Sequence, residues 1–364
     1  MINVTEAPYS ATGDGTTDDT SAIASAITAG GTELYFPSGK YLITSSLPLM
    51  DYGSSQSTND NDRIRIRGDG IGNTWIYFTG AGNLFQVEGG EAGNGNFAQF
   101  TMSDMQITGG GAENQVGIYG NIAPYTVLER VRIAGFGTGI SLINSDFVVI
   151  DKCQIRWNRR GIYSIEQGES AYRTRPNSWS IRDTSIALNS EYGGYWYEPS
   201  TLLIEGCDIA NNGQGSGGSR YGLKIHNPAA EGGGVNLISN YFEENKNIAD
   251  VWLLGDSTND VYQCAHVMTG NSFNRTGVGP HNPATCNVLV QWKKWNGNRL
   301  SLVGNSFKAY DGYVSTWGAT TRYTVLFDST NNNQPQNTWN CHGFGNLQQW
   351  KRNIVHFTES IGGN

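Results

Sequence analysis

A short apolar pattern that recurs along most of the chain constrains its fold more than any other feature. Each instance has one apolar residue, a few small or polar residues, and then Ile or Phe. The instances are Met102…Ile107, Leu128…Ile133, Ile150…Ile155, Ile181…Ile186, Ile204…Ile209, Leu237…Phe242, Met268…Phe273 and Leu302…Phe307. The first anchors are 22 to 34 residues apart, which is the period of a solenoid. The alternation within each instance is typical of a strand.

A second short apolar segment follows most instances and begins at a turn residue. These segments start at Gly139, Gly161, Gly194, Gly222, Asp250 and Asn287. Short strands that repeat in a coil and pair with the next coil form a parallel β-helix. The chain has 48 Gly and 36 Asn among 364 residues, and both residue types tolerate the left-handed backbone of tight turns. The pattern therefore predicts an all-β solenoid.

Two columns of small or polar residues accompany the anchors. The first contains Val131, Cys153, Thr184, Cys207, Asn240, Asn271 and Asn305, and the second contains Asn158, Asn189, Asn212 and Asn245. Stacked Asn side chains hydrogen-bond along the stack, so we expect structural asparagines rather than a binding site. Cys153 and Cys207 lie two coils apart, roughly 10 Å at about 4.8 Å per coil. That separation is too large for a disulfide.

Residues before the coils have a different character and predict an N-terminal cap. Asp19 or Thr20 can cap a helix whose apolar face is Ile23, Ala26 and Ile27, and Gly30 ends it. A helix over the open end of the strand stack would protect its edges. Asp14, Asp18 and Asp19 fit turn and capping roles, because they do not match a calcium loop. We expect a cap over 1–45, a β-helix over 46–328 and a short C-terminal segment over 329–364.

Charge and motif content exclude several classes of function. The formal net charge is -8, whereas a nucleic-acid-binding chain needs a basic stripe. No apolar run reaches the roughly 18–20 residues of a membrane span, and the first residues lack the pattern of a signal peptide. No Cys/His cluster has metal-ligand spacing, and there is no phosphate loop or dinucleotide fingerprint. We expect no metal, no cofactor, no nucleic-acid partner and no membrane insertion.

Carboxylates on neighbouring coils form the first candidate site. Anchors point inward, so the residues beside them face solvent. Glu205, Asp208 and Glu243 then share one exposed sheet, and glycoside hydrolysis needs a pair of carboxyls. We predict Glu243 with Asp208 or Glu205 as the catalytic pair, with Tyr241 and Arg156 as substrate-binding neighbours. Ordinary surface acids are the alternative interpretation, and the pattern does not decide between retention and inversion.

The second strand set offers a rival site. Its expected outward residues are Tyr163, Trp196, Lys224 and Trp252, with Glu198 and His226 beside them. Aromatic faces stack on sugar rings, so these residues are candidates for substrate binding, unless loops or a partner subunit cover them. Lys224 and His226 could instead serve a polysaccharide lyase, which needs a base beside a uronate carboxyl and a cation to stabilise that carboxylate.

Three stretches of the sequence resemble a known superfamily. Gly13-Asp14-Gly15-Thr16-Thr17-Asp18-Asp19 and Tyr35-Phe36-Pro37-Ser38-Gly39 resemble the opening of the pectate-lyase-like, single-stranded right-handed β-helix proteins. Asn240-Tyr241-Phe242-Glu243-Glu244-Asn245 is most similar to phage tailspikes. The superfamily includes tailspike depolymerases, polysaccharide lyases, mannuronan epimerases and glycan hydrolases. Gly279-Pro280-His281-Asn282 lacks the acidic residue of the epimerase motif, so epimerase activity is not expected.

The resemblance implies a right-handed β-helix that binds and cleaves bacterial capsule, O-antigen or exopolysaccharide. It also implies a homotrimer located at the virion tail or otherwise outside the cell. We expect neither a long N-terminal attachment domain nor a large C-terminal trimerisation domain in this sequence. Glycoside hydrolysis is the leading prediction. A lyase, or a non-catalytic glycan-binding or structural β-helix, is the alternative.

Overall fold

The computed structural model describes residues 1–30, 32–51, 63–89, 99–166, 175–216, 220–227, 233–246, 248–255, 265–275, 286–292, 299–309, 325–328 and 355–358. It divides into two compact units, Met1–Ser185 and Ile186–Asn364. Strands dominate both units, and the described residues contain a single helix, α1 (Thr20–Thr28). No helix in the described ranges is long and apolar enough to cross a membrane.

The first unit contains α1 and sixteen strands. They are β1 (Ile2–Asn3), β2 (Asp14–Asp18), β3 (Glu33–Tyr35), β4 (Gly39–Ile43), β5 (Leu47–Asp51), β6 (Arg63–Arg67), β7 (Thr74–Phe78), β8 (Asn83–Glu88), β9 (Gln99–Gly109), β10 (Val116–Asn121), β11 (Val127–Ala134), β12 (Thr138–Ile143), β13 (Val149–Asp151), β14 (Gln154–Arg156), β15 (Arg160–Ile165) and β16 (Trp179–Arg182).

The remaining strands belong to the second unit, which begins within β17. They are β17 (Ser185–Ala187), β18 (Tyr192–Tyr197), β19 (Thr201–Glu205), β20 (Asp208–Ala210), β21 (Tyr221–His226), β22 (Gly234–Ile238), β23 (Tyr241–Glu243), β24 (Ala249–Gly255), β25 (Ala265–Thr269), β26 (Ser272–Arg275), β27 (Cys286–Trp292), β28 (Arg299–Val303), β29 (Ser306–Ala309), β30 (Val325–Asp328) and β31 (Val355–Thr358).

Every strand pairs in parallel with its counterpart in the next coil, as a parallel β-helix requires. In the first unit, β6, β9, β11, β13 and β16 form one ladder, and β5, β8, β10, β12 and β15 form the opposite sheet. In the second unit, β19, β22, β25 and β28 run beside β20, β23, β26 and β29. Its opposite sheet contains β18, β21, β24, β27, β30 and β31. The predicted fold class is confirmed.

The apolar anchors fill the interior in the predicted register. Leu128 pairs with Met102 on one side and Ile150 on the other. Phe242 pairs with Phe273, and their rings stack with centroids 4.6 Å apart. All five side chains are fully buried, and each buried side chain of this size contributes about 1.5–3 kcal/mol. The anchor prediction is therefore correct in both units.

A left-handed corner divides the part of each coil that belongs to the first sheet, either inside one long strand, as in β9 and β11, or between two short strands. It lies at Asp104, Arg130, Lys152 and Asp183 in the first unit, and at Gly206, Ser239, Gly270 and Gly304 in the second. The φ angles run from 47° to 65°. Only glycine adopts such angles without steric cost, and three of the four corners in the second unit are glycine. The corner turns the next residue of the chain into the interior.

After three of these corners, at Ser239, Gly270 and Gly304, the next residue is an asparagine, and the three asparagines form a ladder. Asn271 Nδ2 donates to Leu237 O (2.8 Å) and to Asn305 Oδ1 (2.8 Å), while its own Oδ1 accepts from the backbone N–H of Asn240 (2.9 Å). A second ladder joins Asn189, Asn212 and Asn245 in the same way. Both ladders are buried, so they satisfy backbone groups that the turns leave unpaired. The structural interpretation of these asparagines is confirmed.

The cap of α1 differs in part from expectation. Asp19 precedes the helix, but its side chain makes no capping bond; it accepts from the backbone N–H groups of Thr12 and Gly13 instead. Asp18 takes the capping role, because its carboxylate accepts from the Thr20 N–H at 3.0 Å. Asp14 accepts from the N–H groups of residues 16 and 17. The three aspartates therefore hold turns, and the predicted domain boundaries at 45 and 328 stay predictions.

Replacing Asn271 by Ala should destabilise the chain by about 3 kcal/mol, because several buried backbone groups lose their partners. Asn236→Ala, which alters an outward side chain of β22, is the matched control and should change the stability by less than about 0.5 kcal/mol. Urea denaturation of both variants measures the difference. Equal stabilities would show that the ladder contributes nothing to the fold.

His266 in β25 is fully buried, and this burial lowers its pKa to about 4, from the ordinary value of about 6.5. Between these two pH values the unfolded chain binds a proton that the folded chain excludes. The free energy of unfolding should therefore fall as the pH falls from about 6.5 to 4. His266→Leu should reduce the pH dependence of the free energy of unfolding by the equivalent of up to one bound proton. Denaturation at several pH values measures this dependence. An unchanged pH dependence would contradict this assignment.

Candidate functional site

Three carboxylates share one outward face of the second unit. Glu205 ends β19, and Asp208 begins β20 after the corner at Gly206. Asp208 pairs with Tyr241 in the next coil, and Glu243 lies two residues further along β23 on the same face. The backbone spacing between Asp208 and Glu243 is therefore about 8 Å, from about 4.8 Å between strands and about 6.7 Å along one. The structure brings together the carboxylates that the sequence predicted.

One hydrogen bond from its own strand and one from the next coil hold Glu243 in place. The Tyr241 hydroxyl donates to Glu243 Oε1 at 3.0 Å, and Asn274 Nδ2 donates to the same oxygen at 3.3 Å. Asn274 Nδ2 also donates to the Tyr241 hydroxyl oxygen at 2.7 Å. All three side chains are half-buried. Glu243 is therefore an acceptor with a fixed orientation, and a second oxygen is left for another partner.

The groups around Tyr241 shift the pKa of its hydroxyl. The Asn274 amide that donates to its oxygen acts to lower the pKa, but burial and the hydrogen bond to Glu243 outweigh it, with Asp208 adding repulsion. The pKa of Tyr241 is raised as a result. The phenol therefore keeps its proton at neutral pH and continues to donate to Glu243.

The opposite sheet of the second unit carries a cationic and aromatic cluster. Lys224 Nζ lies 4.0 Å from the Trp252 ring centroid and 5.4 Å from that of Tyr195. The Tyr195 hydroxyl and His226 Nδ1 are 3.0 Å apart, and Trp252 Nε1 donates to Gln291 at 2.8 Å. Lys224, His226 and Trp252 are thus neighbours, as the sequence predicted.

Trp196 and Glu198 are corrections to the sequence-based prediction. Tyr195, and not Trp196, pairs with Lys224 in the outward column. The Trp196 indole points inward and is fully buried, in the space beside Gly194, where an added Cβ would lie 2.4 Å from the ring. Glu198 is buried at a left-handed corner, and its backbone N–H donates to His226 O at 2.7 Å. Neither side chain is placed on the outer surface.

The other two predicted substrate-binding residues lie in the first unit. Tyr163 in β15 is half-buried, and burial raises its pKa. Arg156 ends β14 with its guanidinium carbon 5.2 Å from the Trp157 ring centroid. Arg156 lies in the first unit, and the three carboxylates lie in the second.

Sequence reasoning missed the exposed aromatic side chains of the first unit. Trp75, Tyr77, Tyr125, Phe147 and Trp157 are all exposed, and the rings of Tyr125 and Phe147 stack with centroids 5.0 Å apart. The strict alternation of β7 could have identified Trp75 and Tyr77. The other three have positive φ angles, and no sequence pattern identifies such residues. Within the described ranges, no three His, Cys, Asp or Glu side chains are grouped as metal ligands.

Comparisons with known proteins agree on the fold. Residues 1–95 match the family model described as "Rhamnogalacturonase A/epimerase, pectate lyase-like". Residues 137–306 match the model described as "Right handed beta helix region". A search of curated proteins finds none that matches this sequence. The predicted resemblance to pectate-lyase-like, right-handed β-helix proteins is confirmed.

Solved structures with a similar fold come from proteins of different kinds. The catalytic unit of a GH87 α-1,3-glucanase from Streptomyces thermodiastaticus is 16% identical, with a TM-score of 0.56 over 90% of this chain and 58% of that one. The Dettilon tailspike protein is 14% identical, with a TM-score of 0.53 over 98% of this chain and 68% of the tailspike chain. The Streptococcus pneumoniae surface adhesin PfbA is 13% identical, with a TM-score of 0.52 over 90% of this chain and 89% of the adhesin chain. This chain spans less than three fifths of the glucanase, and at these identities the likeness establishes the fold alone.

Proposed function

We propose that this chain is a glycoside hydrolase that shortens a bacterial surface polysaccharide. Glu243 acts with Asp208 or Glu205 as the pair of carboxyls. The observation that carries this proposal is the placement of all three on one outward face, on neighbouring coils of the second unit. A solenoid face of this kind presents its residues along an extended surface, which suits a long polymer.

The hydrogen bonds around Glu243 support a division of roles. Glu243 accepts from both Tyr241 and Asn274, and an ionised carboxylate is purely an acceptor. It therefore serves as the base or nucleophile. Asp208 or Glu205 then donates the proton to the leaving oxygen of the glycosidic bond. A carboxyl separation of about 5–5.5 Å would give retention, and one of about 6.5–9.5 Å inversion.

The tailspike-like features define the biological setting of the proposal. The sequence of residues 240–245 and the fold shared with the Dettilon tailspike protein support a virion-tail or extracellular protein that acts on capsule, O-antigen or exopolysaccharide. A homotrimer belongs to the same proposal.

Glu243→Gln should lower the rate of polymer shortening by at least about a hundredfold, which is the usual contribution of a catalytic acid or base. One of Asp208→Asn and Glu205→Gln should do the same, and that variant identifies the second carboxyl. The measurement is polymer size, by light scattering, on a panel of purified capsular and O-antigen polysaccharides. Glu244→Gln is the matched control, because it neutralises the adjacent carboxylate at the corner of the same coil and should leave the rate unchanged.

Binding without shortening, on a panel that includes a host polymer, would contradict the hydrolase and indicate a recognition protein. Full activity of Glu243→Gln, or of both Asp208→Asn and Glu205→Gln, would also contradict it. Thermal unfolding of each variant shows that the fold is intact.

A polysaccharide lyase is the second candidate, favoured by the cluster on the opposite sheet. The Tyr195 hydroxyl and His226 Nδ1 form a 3.0 Å pair, which is the geometry of proton transfer. Lys224, held over the Trp252 ring at 4.0 Å, supplies the cation that would stabilise a uronate carboxylate.

Ultraviolet absorbance distinguishes the two enzymes, because β-elimination leaves an unsaturated uronate that absorbs. If the chain is a lyase, shortening should produce new absorbance, His226→Gln should abolish it, and Glu243→Gln should retain it. Shortening without new absorbance would exclude the lyase.

A further inference from the structure

We propose that the first unit holds an anionic polysaccharide on a strip of its outward sheet face that contains cations and aromatic rings but no carboxylate. This basic–aromatic strip consists of Lys40, Trp75, Gln106 and Arg132 in one column, Tyr77 and Arg156 in the next column, and Trp157 at the corner after Arg156. It requires no cleavage, so it goes beyond the proposed hydrolysis and can be tested independently.

Strand register makes the strip continuous. Lys40 pairs with Trp75, Trp75 with Gln106, and Gln106 with Arg132, so the column passes through four coils. Gln106 is buried and donates to Thr108 at 2.8 Å, so it connects the column without facing a ligand. At about 4.8 Å per coil the column is about 14 Å long. In the next column, Tyr77 is followed by Thr108, Ala134 and Arg156. Neither column has an acidic residue between these positions.

Two arginines of the strip have no carboxylate partner among the described residues. The guanidinium carbons of Arg132 and Arg156 lie 4.8 and 5.2 Å from the Trp157 ring centroid. The Nε atom of each is buried and has no hydrogen-bond partner in the described part of the chain. A guanidinium recognises a carboxylate through paired N–H donors. The buried Nε atoms are out of reach of a ligand, so an incoming anion would meet the outer N–H groups of the two guanidinium groups.

Other cations on the same sheet behave differently. Arg130 forms an ion pair with Asp104 at 2.6 Å, and Lys152 forms one with Asp151 at 2.9 Å. Their charges are already compensated within the chain. Arg132 and Arg156 differ from these two cations, because no carboxylate in the described ranges forms an ion pair with them.

Trp157 adopts a conformation that is costly for a bulky residue. Its φ angle is +57°, and its side chain is 49% exposed. The left-handed region costs a non-glycine residue roughly 1–2 kcal/mol, whereas the same corner of the preceding coil is Gly135 at +72°. An exposed ring adds little to the core, so the strained position indicates a surface role. With Trp75 (38% exposed) and Tyr77 (44% exposed), it provides apolar faces that suit sugar rings.

The spacing of the cations in the basic–aromatic strip indicates which class of anionic polymer binds there. The strip has three cations over five coils, or about 19 Å at about 4.8 Å per coil, in a chain of net charge -8. Double-stranded DNA carries one charge per about 1.7 Å, which far exceeds what the strip can neutralise. A polysaccharide with one carboxylate on some of its sugars matches both the spaced cations and the ring faces.

The test is binding of the full chain to three uronate polymers (polygalacturonate, alginate and hyaluronate) and to their carboxyl-reduced forms, by affinity electrophoresis at low salt. At least one acidic polymer should be retained, and its reduced form should bind at least about tenfold more weakly. Added salt should weaken the binding, because the contacts are exposed and charged.

Arg132→Gln and Arg156→Gln should each weaken this binding about tenfold or more. Lys152→Gln is the matched control, because it removes one positive charge that is already paired, and it should bind within about twofold of the parent. Thermal unfolding of all three confirms the fold. Trp157→Phe should retain most of the binding, and Trp157→Ala should lose it.

Retention of none of the three acidic polymers would overturn the proposal. Equal binding of the reduced polymers, unchanged binding by the arginine variants, or equally tight binding of single-stranded DNA would also overturn it. Glu243→Gln should bind like the parent, so loss of cleavage in that variant tests the hydrolase and leaves this inference untouched.

Discussion

Hydrogen bonding between successive coils at their corners is the constraint on which the rest of this structure depends. Side chains alternate between the two faces of a strand, so a slip of one residue would exchange the core and the surface. The buried amide of Asn240 prevents such a slip, because it bonds Ile204 O below and Asn271 above. The alignment of Asp208 with Tyr241, and of Glu243 with Asn274, follows from that register.

The first sheet could be predicted from the sequence because two independent signals agree there. Apolar anchors and ladder asparagines repeat at a fixed offset, so the outward positions of Glu205, Asp208 and Glu243 follow. In the described part of the opposite sheet, no asparagine recurs at a fixed offset from an apolar anchor, and in β18 large aromatics occupy both faces. Alternation alone could not distinguish Tyr195 from Trp196, and the deciding factor was the space that Gly194 leaves for the indole.

Corner positions explain why other features escaped prediction. Asp, Arg, Lys, Ser and Gly all occupy the left-handed corner within the first sheet, so residue type does not identify it. The exposure of Trp157 depends on a corner of this kind. The same limit applies to the N-terminal turn, where Asp18 and Asp19 are chemically equivalent. Only the folded backbone determines which carboxylate meets the Thr20 N–H.

The energetics of the basic–aromatic strip argue that a ligand completes it. Each buried guanidinium donor without a partner costs roughly 1–3 kcal/mol, and Trp157 adds roughly 1–2 kcal/mol of backbone strain. The left-handed corner recurs from coil to coil, and Gly135 makes it one coil earlier without that strain. A carboxylate bound to the outer N–H groups of Arg132 and Arg156 would compensate their charges, and a sugar ring on Trp157 would bury its exposed face. Ligand binding would therefore offset part of the free-energy cost that this surface imposes on the folded chain.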